Sequence, residues 1–156
     1  MPLDLSLYLV TDAALCRDHG LEQTVEAAVR GGVTIVQLRD KHASDEHMTA
    51  QAKRLKALLS GTGVPLIIND RLQVALDSQA DGLHVGQSDA AVQEARRLLG
   101  EQAIIGLSIN TIAQLQATPF ELLDYVGIGP VFATESKQDH AQPIGFGGLA
   151  ALVKAC

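Results

Sequence analysis

Tryptophan is absent and aromatic residues make up only 3% of the chain, so a core drawn from its 47% hydrophobic residues must be built from Leu, Ile, Val and Ala. That composition suits a layered α/β protein better than an all-β sandwich. Positive charge is also scarce. Twelve Lys and Arg stand against 18 Asp and Glu, a net charge of −6. A nucleic-acid phosphate backbone calls for a basic face, so nucleic acid is not an expected partner. An acidic chain that binds a phosphorylated metabolite needs local cations or a divalent metal. The two cysteines, Cys16 and Cys156, provide neither a disulfide framework nor metal-ligand spacing, which points to a reducing, cytoplasmic setting. No apolar run approaches the roughly 18 residues of a membrane span, and the start carries no signal-peptide pattern. Linkers, low-complexity tracts and charge runs are lacking as well. Residues 1–156 therefore read as one soluble domain.

What the chain does contain is alternation. Six apolar segments read as strands: 6–10, 34–38, 66–68, 82–85, 104–107 and 125–128. Between them lie segments of helical periodicity at 21–30, 45–59, 71–79, 89–99, 111–117 and 148–155. The clearest has Ser44 as N-cap, acids in its first turn, and Met48, Ala52, Leu55 and Leu59 on one face. Glycines at 31–32 and 100 are the expected left-handed stops. Strand–helix alternation throughout predicts parallel strands joined by right-handed crossovers. The strand starts lie about 24 residues apart on average, and eight such units would make a closed barrel of roughly 200 residues. The pattern fits either an open six-stranded sheet or a barrel without its last quarter.

Chemistry-bearing residues gather at the carboxyl ends of these strands, the rim where α/β sheets and barrels bind ligands. The stretch Leu66-Ile67-Ile68-Asn69-Asp70-Arg71 is the sharpest case: a buried strand runs straight into an amide, a carboxylate and a guanidinium. The plainer reading, that Asp70 merely caps the helix that follows, is weakened because the same arrangement recurs down the chain. The second strand ends in Gln37-Leu38-Arg39-Asp40-Lys41, where alternation places Gln37, Arg39 and Lys41 on one side. Other ends supply Thr11-Asp12, His84 through Asp89, Ser108-Ile109-Asn110 and Thr134-Glu135-Ser136-Lys137. His84 reads equally as a hydrogen-bonded core residue and as a ligand contact, Thr11-Asp12 equally as the start of a turn, and Arg71 as a bridge between loops rather than a substrate contact. Together the ends offer three cations (Arg39, Lys41, Lys137) and two carboxylates suited to a metal (Asp70, Asp89). Cations plus oxygen ligands for a hard divalent ion are what a diphosphate requires.

Five strings carry a resemblance to a known family: Tyr8 to Asp12, Gly31 to Lys41, Ile67 to Arg71, Asp81 to Asp89 and Gly127 to Lys137. In order and in spacing they closely resemble thiamine phosphate synthase over essentially the whole chain. The family fold is a (β/α)8 TIM barrel, so the resemblance implies an incomplete barrel of about six βα units with the last two strands absent. It implies a transferase that condenses hydroxymethylpyrimidine diphosphate with thiazole phosphate to give thiamine phosphate and pyrophosphate. By the same resemblance, Gln37 would bond the aminopyrimidine, and Arg39, Lys41, Asn69 and Lys137 would hold the diphosphate. Leu38 and Asp40 belong to the same binding segment. Asp70 and Asp89 would carry Mg²⁺ as cofactor. Ser108 would serve the diphosphate or the reacting carbon. Thr134, Glu135 and Ser136 would surround the thiazole phosphate, with Glu135 contributing backbone alone. Arg39, Lys41, Ser108 and Lys137 are the residues expected to act on the reaction itself. The expected path is dissociative: the aminopyrimidine stabilises a benzyl-like cation as pyrophosphate leaves, and the thiazole nitrogen captures it.

The sequence departs from the family in places. Ser136 replaces the usual threonine, Asn110 the usual histidine, and Ser88 a common glutamate. The family closes its thiazole phosphate site with loops after the seventh and eighth strands, and the 156 residues stop before both. Diphosphate and metal binding are thus the expectations the chain carries most fully. Open edges at the first and sixth strands would favour a homo-oligomer through those edges. Two rival readings stand beside the synthase. One is the thiazole tautomerase branch, which typically lacks Gln37 and Asp89. The other is a barrel fragment that binds pyrimidine diphosphate without catalysis.

Overall fold

The computed structural model describes residues 3–87, 89–134 and 141–156. Six strands alternate with helices: β1 (Tyr8–Val10), α1 (Leu21–Arg30), β2 (Ile35–Leu38), α2 (Asp45–Leu59), β3 (Leu66–Asn69), α3 (Leu72–Ser78), β4 (Gly82–Val85), α4 (Asp89–Leu99), β5 (Ile104–Ile109), α5 (Ile112–Ala117), β6 (Tyr125–Ile128) and α6 (Gly145–Ala155). All strand pairs are parallel, in the order β1-β2-β3-β4-β5-β6. The sheet curls far enough for Tyr8 of β1 to hydrogen-bond Tyr125 of β6, Oη to Oη, at 2.6 Å. The alternation predicts parallel strands and the family resemblance implies an incomplete barrel, and the curled six-stranded sheet agrees with both.

Period-two patterning explains both faces. On the helix side, Val36 and Leu38, Leu66 and Ile68, Leu83 and Val85, and Ile105, Leu107 and Ile109 pack with Val25, Met48, Leu55, Val74 and Val92 into one apolar core. On the concave side, the alternate residues Gln37, Asn69, His84 and Ser108 are polar. Register aligns them: Asn69 of β3 stands beside His84, His84 beside Gly106, and Gly106 beside Tyr125. A one-residue slip of any strand would exchange these faces.

Helix ends follow local chemistry. The Ser44 side chain accepts from His47 N at 3.2 Å, with Asp45 and Glu46 in the first turn of α2. Thr111 and Gln114 form a reciprocal capping box on α5. Gly100 stops α4 at φ 85°, as expected, but after α1 the left-handed residue is Gly32 while Gly31 stays right-handed. The first residue of α6 is Gly145 rather than Gly148, because Ile144 N and Gly145 N bond to Pro130 O and Val131 O and fix the start earlier. A short 3-10 turn at Phe120–Leu122 has no periodicity by which sequence reading finds it. Among the described residues no helix is long and apolar enough to cross a membrane.

Candidate active site

A cavity of about 680 Å³ opens on the concave face at the carboxyl ends of the strands. Gln37, Arg39, Lys41, Asn69, Asp70, His84 and Ser108 all line it, so four adjacent strands deliver the residues singled out above. Strand alternation does place Gln37, Arg39 and Lys41 together. Leu38 and Asp40, the intervening residues, turn elsewhere. Leu38 is buried in the helix-side core, and the Asp40 carboxylate accepts from His42 N and Ala43 N within its own loop.

Arg39 is steered from β1. Its backbone N donates to Thr11 Oγ1 at 3.1 Å, and its guanidinium lies 3.8 Å from Asp12 Oδ2. Asp12 also accepts from Ala14 N and Leu15 N, so it starts a turn and flanks Arg39 at once. Asp70 does not cap α3. The N-cap of that helix is Arg71, without a side-chain bond, and Asp70 sits at φ 61°, a left-handed conformation that turns the chain at the cavity rim. Backbone bonds from Asp70 N to His84 O and from Arg71 N to Asn69 O hold that corner.

Behind the cations runs a row of hydrogen bonds across the cavity floor. Gln37 Nε2 donates to Tyr8 Oη at 2.8 Å, Tyr8 Oη meets Tyr125 Oη at 2.6 Å, Tyr125 Oη meets His84 Nδ1 at 2.9 Å, and His84 Nε2 meets Ser108 Oγ at 2.8 Å. One polarity gives both tyrosine protons and the His84 Nε2 proton an acceptor within the row. Tyr8 donates to Tyr125, Tyr125 to His84 Nδ1, and His84 Nε2–H to Ser108. That polarity leaves Gln37 Oε1 as an acceptor at one end and the Ser108 O–H as a donor at the other. Burial pushes both tyrosine hydroxyls above their ordinary pKa, so they stay protonated. Gln87 Nε2 donates to Ser108 O, steadying that end of β5. His84 is therefore hydrogen-bonded at both ring nitrogens and lines the cavity as well.

Tyr8 and Tyr125 were not singled out from sequence. A signal existed: they are the chain's two tyrosines, and both stand at strand starts with a hydroxyl no apolar core would accept. Tyr125 fits because Gly106 beside it has no Cβ, which would lie 2.1 Å from the ring.

A second cavity of about 430 Å³ adjoins the first, sharing Gly86, Ser108 and Gly127, and extends to Asn110 and Thr134. Thr134 thus lies beyond Ser108 from the cations. Asn110 Oδ1 is buried without a hydrogen-bond partner among the described residues. Glu135, Ser136, Lys137, Ser88 and the side chain of Asp89 lie outside the described residues; Asp89 is the first residue of α4.

The family model for thiamine monophosphate synthase matches residues 7–156. The chain belongs to that family. Among its relatives, a thiamine-phosphate synthase of Psychrobacter sp. (strain PRwf-1) is 60% identical over 97% of this chain and 72% of its own length. Another, from Xanthobacter autotrophicus, is 51% identical over 92% of this chain and 68% of its own length. The solved structure of thiamine phosphate pyrophosphorylase from Pyrococcus furiosus superposes with a TM-score of 0.82 at 30% identity, covering 97% of this chain and 71% of that one. Thiamine monophosphate synthase membership thus rests on sequence and on fold together.

Proposed function

We propose that this chain is a transferase that forms thiamine phosphate from pyrimidine diphosphate and thiazole phosphate with release of pyrophosphate, using the two adjoining cavities as one bipartite site. The observation that carries the reading is the placement of Gln37 and Ser108 at the two ends of one hydrogen-bonded row, beneath Arg39 and Lys41. Gln37 Oε1 accepts from the amino group of the pyrimidine. Arg39, Lys41 and Asn69 take the diphosphate, whose charge they neutralise as the bond to carbon breaks. Ser108 donates to the leaving oxygen. The aminopyrimidine stabilises the developing cation, and thiazole held toward Thr134 presents its nitrogen to the same carbon. This path requires no nucleophilic side chain.

Magnesium fits the donor set. Asp70 lies at the cavity rim beside Asn69 and Lys41, and a hard divalent ion takes one or two carboxylates and completes its shell with phosphate oxygens and water. Asp70, with Asp89 at the head of α4, would hold it. When bound, Mg²⁺ supplies charge neutralisation on the departing pyrophosphate. Arg39, Lys41, Ser108 and, outside the described residues, Lys137 act on the same oxygens. Two free cysteines fit a cytoplasmic setting. The outer edges of β1 and β6 end the sheet among the described residues and offer a route to a homo-oligomer, which light scattering would measure.

Incubation with both substrates and Mg²⁺ tests the reaction. Thiamine phosphate and pyrophosphate are expected in equal amounts. Pyrophosphate without thiamine phosphate, or neither, would contradict it.

A further inference from the structure

The guanidinium of Arg71 reaches out of the β3 corner to the loop between β2 and α2. Nη1 donates to Ala43 O at 2.5 Å and to Asp45 Oδ1 at 2.8 Å, while Nη2 donates to Asp40 O and Lys41 O, each at 3.2 Å. Three carbonyls and a carboxylate therefore converge on one planar cation. Arg71 is not part of the cavity lining, although Asp70 and Lys41 on either side of it are. The left-handed turn at Asp70 makes this possible by sending consecutive side chains in different directions. The loop has its own internal brace, the Asp40 carboxylate on His42 N and Ala43 N, and Arg71 ties it to the β3 corner.

We infer that Arg71 is a positioning residue that sets diphosphate affinity by holding the Lys41 loop in register with the Asp70 corner, without touching the ligand. The inference rests on the placement of the diphosphate at Arg39, Lys41 and Asn69. Its physical basis is geometric. A guanidinium fork engages several acceptors in one plane, whereas a lysine ammonium on the same backbone is a point charge that cannot span Ala43 O and Lys41 O together. With the fork removed, the backbone beneath Lys41 is free to shift and its ammonium leaves the geometry the diphosphate needs.

Calorimetric titration of the whole chain with inorganic pyrophosphate at fixed Mg²⁺ provides the test, using Arg71→Lys, Lys41→Ala and the double variant. Arg71→Lys is expected to weaken pyrophosphate about tenfold, the size of a lost charge-assisted hydrogen bond. Because Arg71 works through Lys41, the double variant should bind like Lys41→Ala alone. A fold defect unrelated to the loop would instead multiply the two losses. Unchanged affinity in Arg71→Lys, or losses that multiply, would overturn the inference while leaving the diphosphate placement intact. Lys41→Ala that binds as tightly as the parent, or a parent that does not bind pyrophosphate, refutes the placement itself and the inference with it. Should Arg71→Lys fail to fold, Asp45→Ala removes one exposed acceptor only. An approximately threefold loss that disappears in the Lys41→Ala background supports the tie, and no loss overturns it.

Discussion

Replacing Tyr125 by phenylalanine removes a single oxygen and keeps the ring that fills the space above Gly106. That oxygen serves two bonds, to Tyr8 Oη at 2.6 Å and to His84 Nδ1 at 2.9 Å. Its loss leaves the Tyr8 proton and the His84 ring nitrogen without partners in a part-buried floor. Each bond is worth about 1 kcal/mol net, and each stranded group adds to that where water cannot reach it. Ring packing against Tyr8 and His84, with centroids 5.7 and 5.5 Å away, is retained. A loss of about 2 kcal/mol on urea unfolding is expected, with an unchanged m value. With His84 no longer anchored, the Ser108 hydroxyl loses its set direction, and kcat/KM for pyrimidine diphosphate in thiamine phosphate formation should fall about tenfold. A cycle with Tyr8→Phe decides whether the row is the cause. The two changes share one bond, so the double variant should lose about 1 kcal/mol less than the sum. Strict additivity, or a stability change in Tyr125→Phe below about 0.5 kcal/mol, would refute the reasoning.

Gln37→Ala should weaken pyrimidine diphosphate by about 1–3 kcal/mol in calorimetry, since it removes the acceptor for the amino group; unchanged affinity would take Gln37 out of the site. Asp70→Ala and Asp89→Ala should each remove the gain in diphosphate affinity that Mg²⁺ provides, and a gain that survives would clear the residue of metal binding. Gly106→Ala would put a Cβ 2.1 Å from the Tyr125 ring, so it should cost about 1–3 kcal/mol in unfolding experiments and disrupt the same row. Both tyrosine pKa values are raised from 10.0, chiefly by burial, so the folded state holds these protons more tightly than the unfolded chain. Their stabilising effect is full below about pH 10 and declines as pH rises beyond it. Unfolding midpoints should show that decline in the parent, and the Tyr8→Phe/Tyr125→Phe variant should lose it.

The architecture was legible because two periodicities alternate without interruption. Val36-Gln37-Leu38 and Leu83-His84-Val85 each declare a helix-facing and a concave side, and Ser44 followed by Asp45 and Glu46 declares the start of α2. Arg39, Lys41 and Asp70 were legible for the same reason: they follow strands directly, and parallel strands bring such ends to one rim. What stayed hidden depends on closure. Tyr8 and Tyr125 lie 117 residues apart, and no local pattern says that the sheet curls enough to join them. Asp70 shows the limit of local reading differently. A carboxylate before a helix is an ordinary cap, and the positive φ that turns it toward the cavity follows from the bonds of Asp70 N and Arg71 N to β4 and β3. Leu38 and Asp40 mark the converse case, since a binding segment read as continuous resolves into alternate residues that face the cavity and residues that hold it.

A crystal structure of the chain with thiamine phosphate, pyrophosphate and Mg²⁺ tests the central claim most directly. The aminopyrimidine is expected against Gln37 over the Tyr8–Tyr125–His84 row, pyrophosphate on Arg39, Lys41 and Asn69, and the metal between it and Asp70. Pyrophosphate bound away from Arg39 and Lys41, or a pyrimidine that leaves Gln37 unpaired, would contradict it.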